Sequence, residues 1–89
     1  MLNKYLVEFL GSAFFVYIIL ATGNPIAIGA ALAFIALLTM RISGVYINPT
    51  VTITMAAAGK IPNYEIIPYC ISQILGGLVA LELYKRIQL

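Results

Sequence analysis

Three long apolar segments restrict this chain to folds in which most side chains face lipid or protein. They cover residues 5–22, 26–41 and 64–86, and only Glu8 interrupts the first. A helix of about 20 apolar residues crosses the hydrocarbon core of a bilayer. Since 63% of the residues are hydrophobic and 9% are charged, too few polar side chains remain to cover a water-facing exterior. The pattern predicts an all-α, multi-pass integral membrane protein, with residues 1–89 as a single unit.

The segment between the second and third apolar stretches has a different character. Residues 42–47 lack helical periodicity and predict extended backbone. Asn48 is a favoured N-cap residue, and Pro49 suits the first helical position. A short helix is therefore predicted over residues 49–58, ended by Gly59. Because it is too short to span a bilayer and too apolar for water, it is predicted to be a re-entrant half-helix, which membranes tolerate only against protein or a water-filled cavity.

The charged and reactive side chains exclude several classes of protein. The net charge is +2 and the basic residues are scattered, whereas a nucleic-acid surface needs them clustered. Histidine is absent and Cys70 is the one thiol, so neither a disulfide framework nor a Cys/His metal site is predicted, and Cys70 is expected to be a small packing residue. No activated nucleophile, carboxylate pair or cofactor loop is visible in the sequence. Neither an enzyme nor a cofactor is predicted.

Three motifs follow one another along the chain. The first helix contains E-x-x-G-S-x-F from Glu8, residues 42–52 read ISGVYINPTVT, and the third helix contains Y-x-x-S-Q-x-x-G from Tyr69. In this order they resemble the major intrinsic protein family, the aquaporins and glycerol facilitators, whose first signature loop is Ser-Gly-x-x-x-Asn-Pro-Ala-Val-Thr. Thr50 stands where the family has alanine. The family also pairs two inverted sets of three helices, each with its own loop, and this sequence holds one set.

The resemblance implies half of an aquaporin fold, with three spanning helices, one half-helix, and Asn48, Pro49 and Thr50 as the pore motif. The N-terminal end of a helix carries roughly half a positive charge and free N–H donors. The Asn48 amide is expected to donate to passing water, and this arrangement orients single-file water while disfavouring cations. Alternatively, Asn48 only caps the helix. The backbone carbonyls predicted to line the approach are those of Gly44, Val45, Tyr46 and Ile47.

Two polar side chains in the spanning helices are assigned to loop support. A carboxyl group at membrane depth is costly unless it is bonded. In the family, the matching glutamate accepts backbone hydrogen bonds from a pore loop, and this role is carried over to Glu8. Alternatively, Glu8 is a hydrated carboxylate near the helix end. Gln73 is expected to buttress the Asn48 loop, or alternatively to bond between helices in a generic way.

Other residues are assigned to the pore mouth and to helix packing. Matching back from the loop puts Ile28 near the family's filter aromatic, and Val51 takes the place that arginine has in the family's second loop. Arg41 falls where the family often has histidine, and it is either a pore-mouth charge or a solvated anchor at the membrane surface. The tyrosines are expected in the membrane-interface belt. The small residues predicted to let helices approach closely are Gly11, Gly29, Gly76 and Ala80.

A pore of the family's type needs two half-helices that meet from opposite sides of the membrane. Three basic residues fall on one predicted side and two on the other, which is a weak orientation signal. We therefore expect an antiparallel homodimer with a two-fold axis in the membrane plane, assembled further as a tetramer of dimers. The expected cargo is water and small neutral solutes such as glycerol. The alternatives are a separately encoded second half-channel subunit, or a non-conducting structural membrane protein derived from an aquaporin half. The two groups of basic residues are Lys4, Arg41 and Lys60, and Lys85 and Arg86.

Overall fold

Four α-helices and one 3-10 turn make up the fold. The computed structural model describes residues 2–87. The helices are α1 (Leu2–Thr22), α2 (Pro25–Ser43), α3 (Pro49–Ala57) and α4 (Ile66–Ile87), and a 3-10 turn at Asn63–Glu65 leads into α4. The described range contains no strand, and α1, α2 and α4 are long and apolar enough to cross a membrane, whereas α3 has nine residues. The predicted all-α membrane fold, with three spanning helices and one half-length helix, is confirmed.

A tight turn joins α1 to α2. Gly23 lies in the left-handed region with a φ of 55°. Asn24 caps α2, since its Oδ1 accepts hydrogen bonds from the backbone N–H groups of Ile26 at 2.8 Å and Ala27 at 3.1 Å. Pro25 follows at the first helical position, where its missing N–H is not needed. The chain therefore reverses direction within two residues, and α2 packs back along α1.

The α2 helix runs further than the sequence predicts. Ile42 and Ser43 are helical, so the expectation of extended backbone at these two positions is wrong. The helix ends at Gly44, which has a φ of 86° and donates its N–H to the carbonyl of Met40 at 3.1 Å. A glycine in the left-handed conformation is a common helix C-cap. The residues just before such a cap can be helical even when their sequence shows no apolar repeat.

Small residues set the distance between α1 and α4. The α1 helix lies against both α2 and α4 and packs most extensively on α4. A Cβ added at Gly76 would collide with the carbonyl oxygen of Phe9 and would lie 3.0 Å from the Cβ of Ser12. Ala80, one turn further along α4, is completely buried. The two helices can therefore approach this closely only with small side chains at the contact.

Polar side chains lie inside the molecule, and large apolar side chains lie outside. Leu37 is 86% exposed and Ile26 is 81% exposed. This arrangement is the reverse of that in a soluble protein, and the longest dimension of 39 Å exceeds the ~30 Å hydrocarbon core of a bilayer. The chain is an integral, multi-pass membrane protein whose apolar exterior faces lipid. The buried polar residues are Glu8, Ser12, Ser43, Thr52, Glu65 and Gln73.

One ion pair ties the beginning of α1 to the beginning of α4. Lys4 Nζ lies 2.7 Å from Oε2 of Glu65, which is a buried residue of the 3-10 turn. The other carboxylate oxygen of Glu65 is buried without a hydrogen-bond partner among residues 2–87. The pair fixes these two helix ends side by side, so both lie at the same membrane surface. No feature of the sequence had suggested this pair.

Candidate pore-loop site

The loop between α2 and α3 has a strained backbone. Val45 and Ile47 have φ values of 58° and 63°, a left-handed conformation that costs a β-branched residue about 1–3 kcal/mol. The Asn48 N–H donates to the carbonyl of Tyr46 at 2.7 Å and closes a three-residue turn around Ile47. Backbone of this kind persists only where its surroundings hold it in place.

Glu8 of α1 holds the loop from its buried side. The residue is 0% exposed, and its Oε2 accepts a hydrogen bond from the Tyr46 N–H at 3.1 Å, while its Oε1 accepts one from the Ile47 N–H at 2.8 Å. Ser12, one turn further along α1, donates to the carbonyl of Ile47 at 3.2 Å. Because hydrogen bonds to a charged group are the stronger ones, this contact offsets the strain of the turn. The position also rules out a hydrated carboxylate at the helix end.

Gln73 of α4 connects Glu8 to α3. Its Nε2 donates to Glu8 Oε1 at 2.9 Å and to Thr52 Oγ1 at 2.7 Å. Thr52 in turn donates its hydroxyl to the carbonyl of Asn48 at 3.0 Å. Both amide hydrogens of Gln73 are used, whereas its Oε1 is buried with no partner in the described chain. A continuous series of hydrogen bonds therefore runs from α1 through α4 to the first turn of α3.

Two tyrosines pack against the loop. Tyr69 is 3% exposed, donates its hydroxyl to the carbonyl of Ser43 at 2.9 Å, and has its ring centroid 5.3 Å from that of Tyr46. A Cβ at Gly44 would lie 2.6 Å from the Tyr46 ring. The interface-belt prediction is wrong for these two tyrosines, because they fill the space between α4 and the loop.

Asn48 presents its amide on the exposed side of the loop. Its Oδ1 accepts a hydrogen bond from the Val51 N–H at 2.9 Å and so caps α3, while the residue itself is exposed. With Oδ1 occupied, the Nδ2 group remains as a donor. Pro49 has no N–H, and the N–H of Thr50 finds no acceptor within residues 2–87. The positive end of α3 therefore carries free donors on the side opposite to Glu8.

The four predicted carbonyl acceptors lie in two environments. The carbonyls of Tyr46 and Ile47 accept hydrogen bonds from other residues of the chain, and both residues are buried. Gly44 and Val45 are half-buried, and their carbonyls accept no hydrogen bond in the part of the chain that the structure describes. Two of the four carbonyls therefore have no donor among the described residues, and the pore-lining role of all four stays a prediction.

The three residues assigned to the pore mouth lie apart from one another. Ile28 is half-buried in the first turn of α2, and Arg41 is exposed in its last turn. Their separation along the helix is about 20 Å, so they lie toward opposite membrane surfaces. Val51 is half-buried in the first turn of α3. Their roles at a pore mouth stay predictions.

The glycines at positions 11 and 29 have different surroundings. A Cβ at Gly11 would lie 3.1 Å from Ile47 Cδ1 and 3.3 Å from Ile35 Cγ2, so the missing side chain gives the loop and α2 room against α1. A Cβ at Gly29 would meet no atom within 4 Å, and this glycine is exposed. The packing role predicted for Gly29 has no counterpart within the described residues.

Comparison with known proteins connects this geometry to one family. The family model described as Major intrinsic protein matches residues 1–88. A relative named Aquaporin Z from Rhodopseudomonas palustris is 36% identical over 91% of this chain and 40% of its own length. Relatives of the same name from Brucella melitensis and Photorhabdus laumondii are each 38% identical over 90% of this chain, and over 42% and 41% of their own lengths. No solved structure matches. The chain thus spans about two-fifths of the length of the curated relatives it matches.

Proposed function

Because this chain belongs to the major intrinsic protein family, we propose that it forms one half of a passive transmembrane channel for water and small neutral solutes such as glycerol. The observation that carries the proposal is the exposed Asn48 amide at the positive end of α3, on a loop that Glu8 fixes from the other side. A group that only capped a helix would not require so rigid a support.

The chemistry of the exposed side suits small neutral molecules. The Asn48 amide and the Thr50 N–H offer donors to the oxygen of a water or an alcohol, and the carbonyls of Gly44 and Val45 offer acceptors. A molecule held between these donors and acceptors is oriented along the passage. The positive end of α3 repels cations and protons, and the Glu8 carboxylate oxygens are buried behind the loop, where they accept hydrogen bonds from the chain and not from a solute.

A complete pore on this plan needs a second half-helix. At nine residues, α3 is about 14 Å long and reaches only to the middle of the bilayer. The second half-helix must therefore enter from the opposite surface. We assign it to a second copy of this chain, antiparallel to the first and related by a two-fold axis in the membrane plane, with four such pairs forming a tetramer of dimers. A separately encoded second half-channel is the competing arrangement.

Osmotic shrinkage of proteoliposomes, followed by stopped-flow light scattering, tests the proposal on the purified chain. We expect vesicles with the wild-type chain to shrink faster than empty vesicles, and Asn48→Leu to return the rate to that of empty vesicles. Asn24→Leu is the matched control, because Asn24 also caps a helix with its Oδ1. Each change costs about 1 kcal/mol of stability through the lost cap, but only the first should change permeability.

Two results would contradict the proposal. One is a wild-type rate equal to that of empty vesicles, and the other is an Asn48→Leu rate equal to wild type. Repeating the measurement with an inward glycerol gradient tests the solute range, since re-swelling reports glycerol uptake. Circular dichroism of each reconstituted variant shows that a lost rate is not caused by lost helix.

A further inference from the structure

Three side chains at the start of α4 contact α1 in order from the membrane surface inward. They lie four residues apart, at positions 65, 69 and 73, so they share one face of the helix. The outermost contact is the ion pair of Glu65 with Lys4, and the innermost is the hydrogen bond from Gln73 to Glu8. The ring of Tyr69 lies between them. The ion pair is therefore about 12 Å along the helix from the amide that supports the pore loop.

Ring contacts join the ion pair to the loop. Lys4 Nζ lies 5.5 Å from the centroid of the Tyr5 ring. The ring centroids of Tyr5 and Tyr69 are 5.6 Å apart, and those of Tyr69 and Tyr46 are 5.3 Å apart. These separations are within the range at which aromatic rings attract each other. A continuous run of side-chain contacts therefore leads from Lys4 near the membrane surface to Tyr46 in the loop.

The Tyr46 ring lies beside backbone that the proposed function assigns to the passage. A Cβ added at Gly44 would be 2.6 Å from Cε1 of Tyr46 and 3.0 Å from its Cζ, so the ring covers Gly44. The Gly44 carbonyl accepts no hydrogen bond from the described residues. Within the same range, the Tyr46 hydroxyl makes no hydrogen bond that would fix the ring. The position of the ring therefore depends on Tyr69, and a shift of the ring changes the space beside Gly44.

The Lys4–Glu65 pair is more shielded from water than the ion pairs at the other end of α4. The side chains of Lys4 and Glu65 are 25% and 8% exposed, whereas those of Lys85 and Glu82 are 60% and 56% exposed. The charged atoms are 2.7 Å apart in the first pair and 3.7 Å apart in the second. A short, shielded pair is screened little by salt. It can therefore hold the start of α4, and with it Tyr69, in one position.

Resting on the proposed channel function, we infer that Lys4 and Glu65 are positioning residues for the pore loop. Their ion pair holds the start of α4 so that Tyr69 keeps the Tyr46 ring against Gly44, and this contact sets the width of the passage there. When either charge is lost, the two rings separate and the passage widens. Glycerol, the larger solute, gains more from the wider passage than water does.

The ratio of glycerol permeability to water permeability tests this inference, because it does not depend on how many chains have folded. Stopped-flow light scattering of reconstituted vesicles measures both, after the rates of empty vesicles are subtracted. We expect Lys4→Met, Glu65→Gln and the double variant to raise the ratio by about twofold or more. The three increases should be equal, since each variant removes the same pair.

Two further variants serve as controls for the ratio. Lys4→Arg keeps a positive charge opposite Glu65 and should keep the wild-type ratio. Glu82→Gln removes a carboxylate from the ion pairs at the other end of α4, so it should also leave the ratio unchanged. Circular dichroism of each reconstituted variant verifies the helix content.

Solid-state NMR of the chain labelled with ¹³C-tyrosine in lipid bilayers gives a second readout that requires no permeation. A cross peak between the rings of Tyr46 and Tyr69 is expected in the wild-type and Lys4→Arg chains. It should be lost in the double variant of Lys4→Met and Glu65→Gln. This variant removes both charges at once, so neither is left buried without its partner and the chain can still fold.

Two results would overturn the inference. One is a double variant whose permeability ratio equals that of wild type, and the other is a Tyr46–Tyr69 cross peak that persists in the double variant. An unchanged ratio in a conducting chain leaves the proposed channel in place and removes the role of the ion pair. If wild-type vesicles conduct no faster than empty vesicles, the proposed function fails instead, and the cross peak alone decides whether the ion pair positions the ring.

Discussion

The buried and exposed sides of α3 differ in how their hydrogen-bond donors are used. On the buried side, the Thr52 hydroxyl and both amide hydrogens of Gln73 have acceptors within the chain. On the exposed side, the Asn48 amide and the Thr50 hydroxyl have none among residues 2–87. The hydrogen bonds that hold the loop therefore form within one copy of the chain. The donors on the exposed side of α3 need acceptors outside the described residues.

Removing the Glu8 carboxylate, which lies behind the loop, should have the largest effect on stability and permeability. Glu8→Leu leaves the buried N–H groups of Tyr46 and Ile47 and an amide hydrogen of Gln73 without their acceptor. We expect a loss of roughly 3–5 kcal/mol in the free energy of unfolding and loss of permeability, because the loop no longer holds Asn48 in place. Thermal unfolding in detergent, followed by circular dichroism, measures the first effect.

Glu82→Gln provides the control for the Glu8 substitution. Its carboxylate is exposed and, within the described residues, forms ion pairs with Lys85 and Arg86 at the end of α4, so the variant should unfold close to the wild-type temperature. If Glu8→Leu unfolds at the same temperature as Glu82→Gln, the carboxylate does not hold the loop, and the buried side of α3 is not a scaffold.

Closing the gap between α1 and α4 is expected to have the next largest effect. Gly76→Ala places a methyl group against the backbone of α1 and should destabilise the chain by about 1–3 kcal/mol. It also pushes Glu8 and Gln73 apart. Gly77→Ala is the matched control, because its Cβ would lie 3.7 Å from Val16 Cγ2, an ordinary contact. Equal unfolding temperatures for the two variants would show that the close approach is not required.

A pair of threonine substitutions compares the two sides of α3 directly. Thr52→Val removes the acceptor of Gln73 and the donor to Asn48, which should cost about 1–2 kcal/mol. Thr54→Val changes an exposed position and should stay within about 0.5 kcal/mol of wild type. Urea or thermal unfolding of both variants in the same detergent gives the comparison. A larger loss of unfolding free energy for Thr54→Val than for Thr52→Val would contradict the claim that Thr52 lies on the hydrogen-bonded side of α3 and Thr54 on the exposed side.

The helices of this fold follow from local sequence, and this part was predictable. Apolar length predicted the three spanning segments, and Asn48 predicted the start of the half-helix. Gly59 was expected to end that helix after residue 58, and α3 ends at Ala57. The continuation of α2 through Ser43 was missed, because the position of the capping glycine, rather than periodicity, decides where that helix ends.

The conformation of the loop could not be predicted in the same way. Nothing local in the sequence favours positive φ at Val45 and Ile47, because the groups that hold the loop there are on Glu8, 38 and 39 residues away from its partners. The role of Tyr69 did leave a signal. It lies one turn before Gln73, so it shares the helix face that contacts the loop.

Solid-state NMR of the unmodified, isotope-labelled chain in lipid bilayers tests the central claim most directly, by measuring water contact and depth at the side-chain amide of Asn48. Asn24 and Asn63, both exposed outside the helix centres, serve as references at the membrane surfaces. We predict that magnetisation from water reaches Asn48 as quickly as it reaches these two residues, while a spin label at the end of the lipid acyl chain broadens Asn48 far more. An Asn48 amide that receives no magnetisation from water, or that is broadened no more than Asn63, would contradict the claim that α3 carries it to a wet passage in the middle of the membrane.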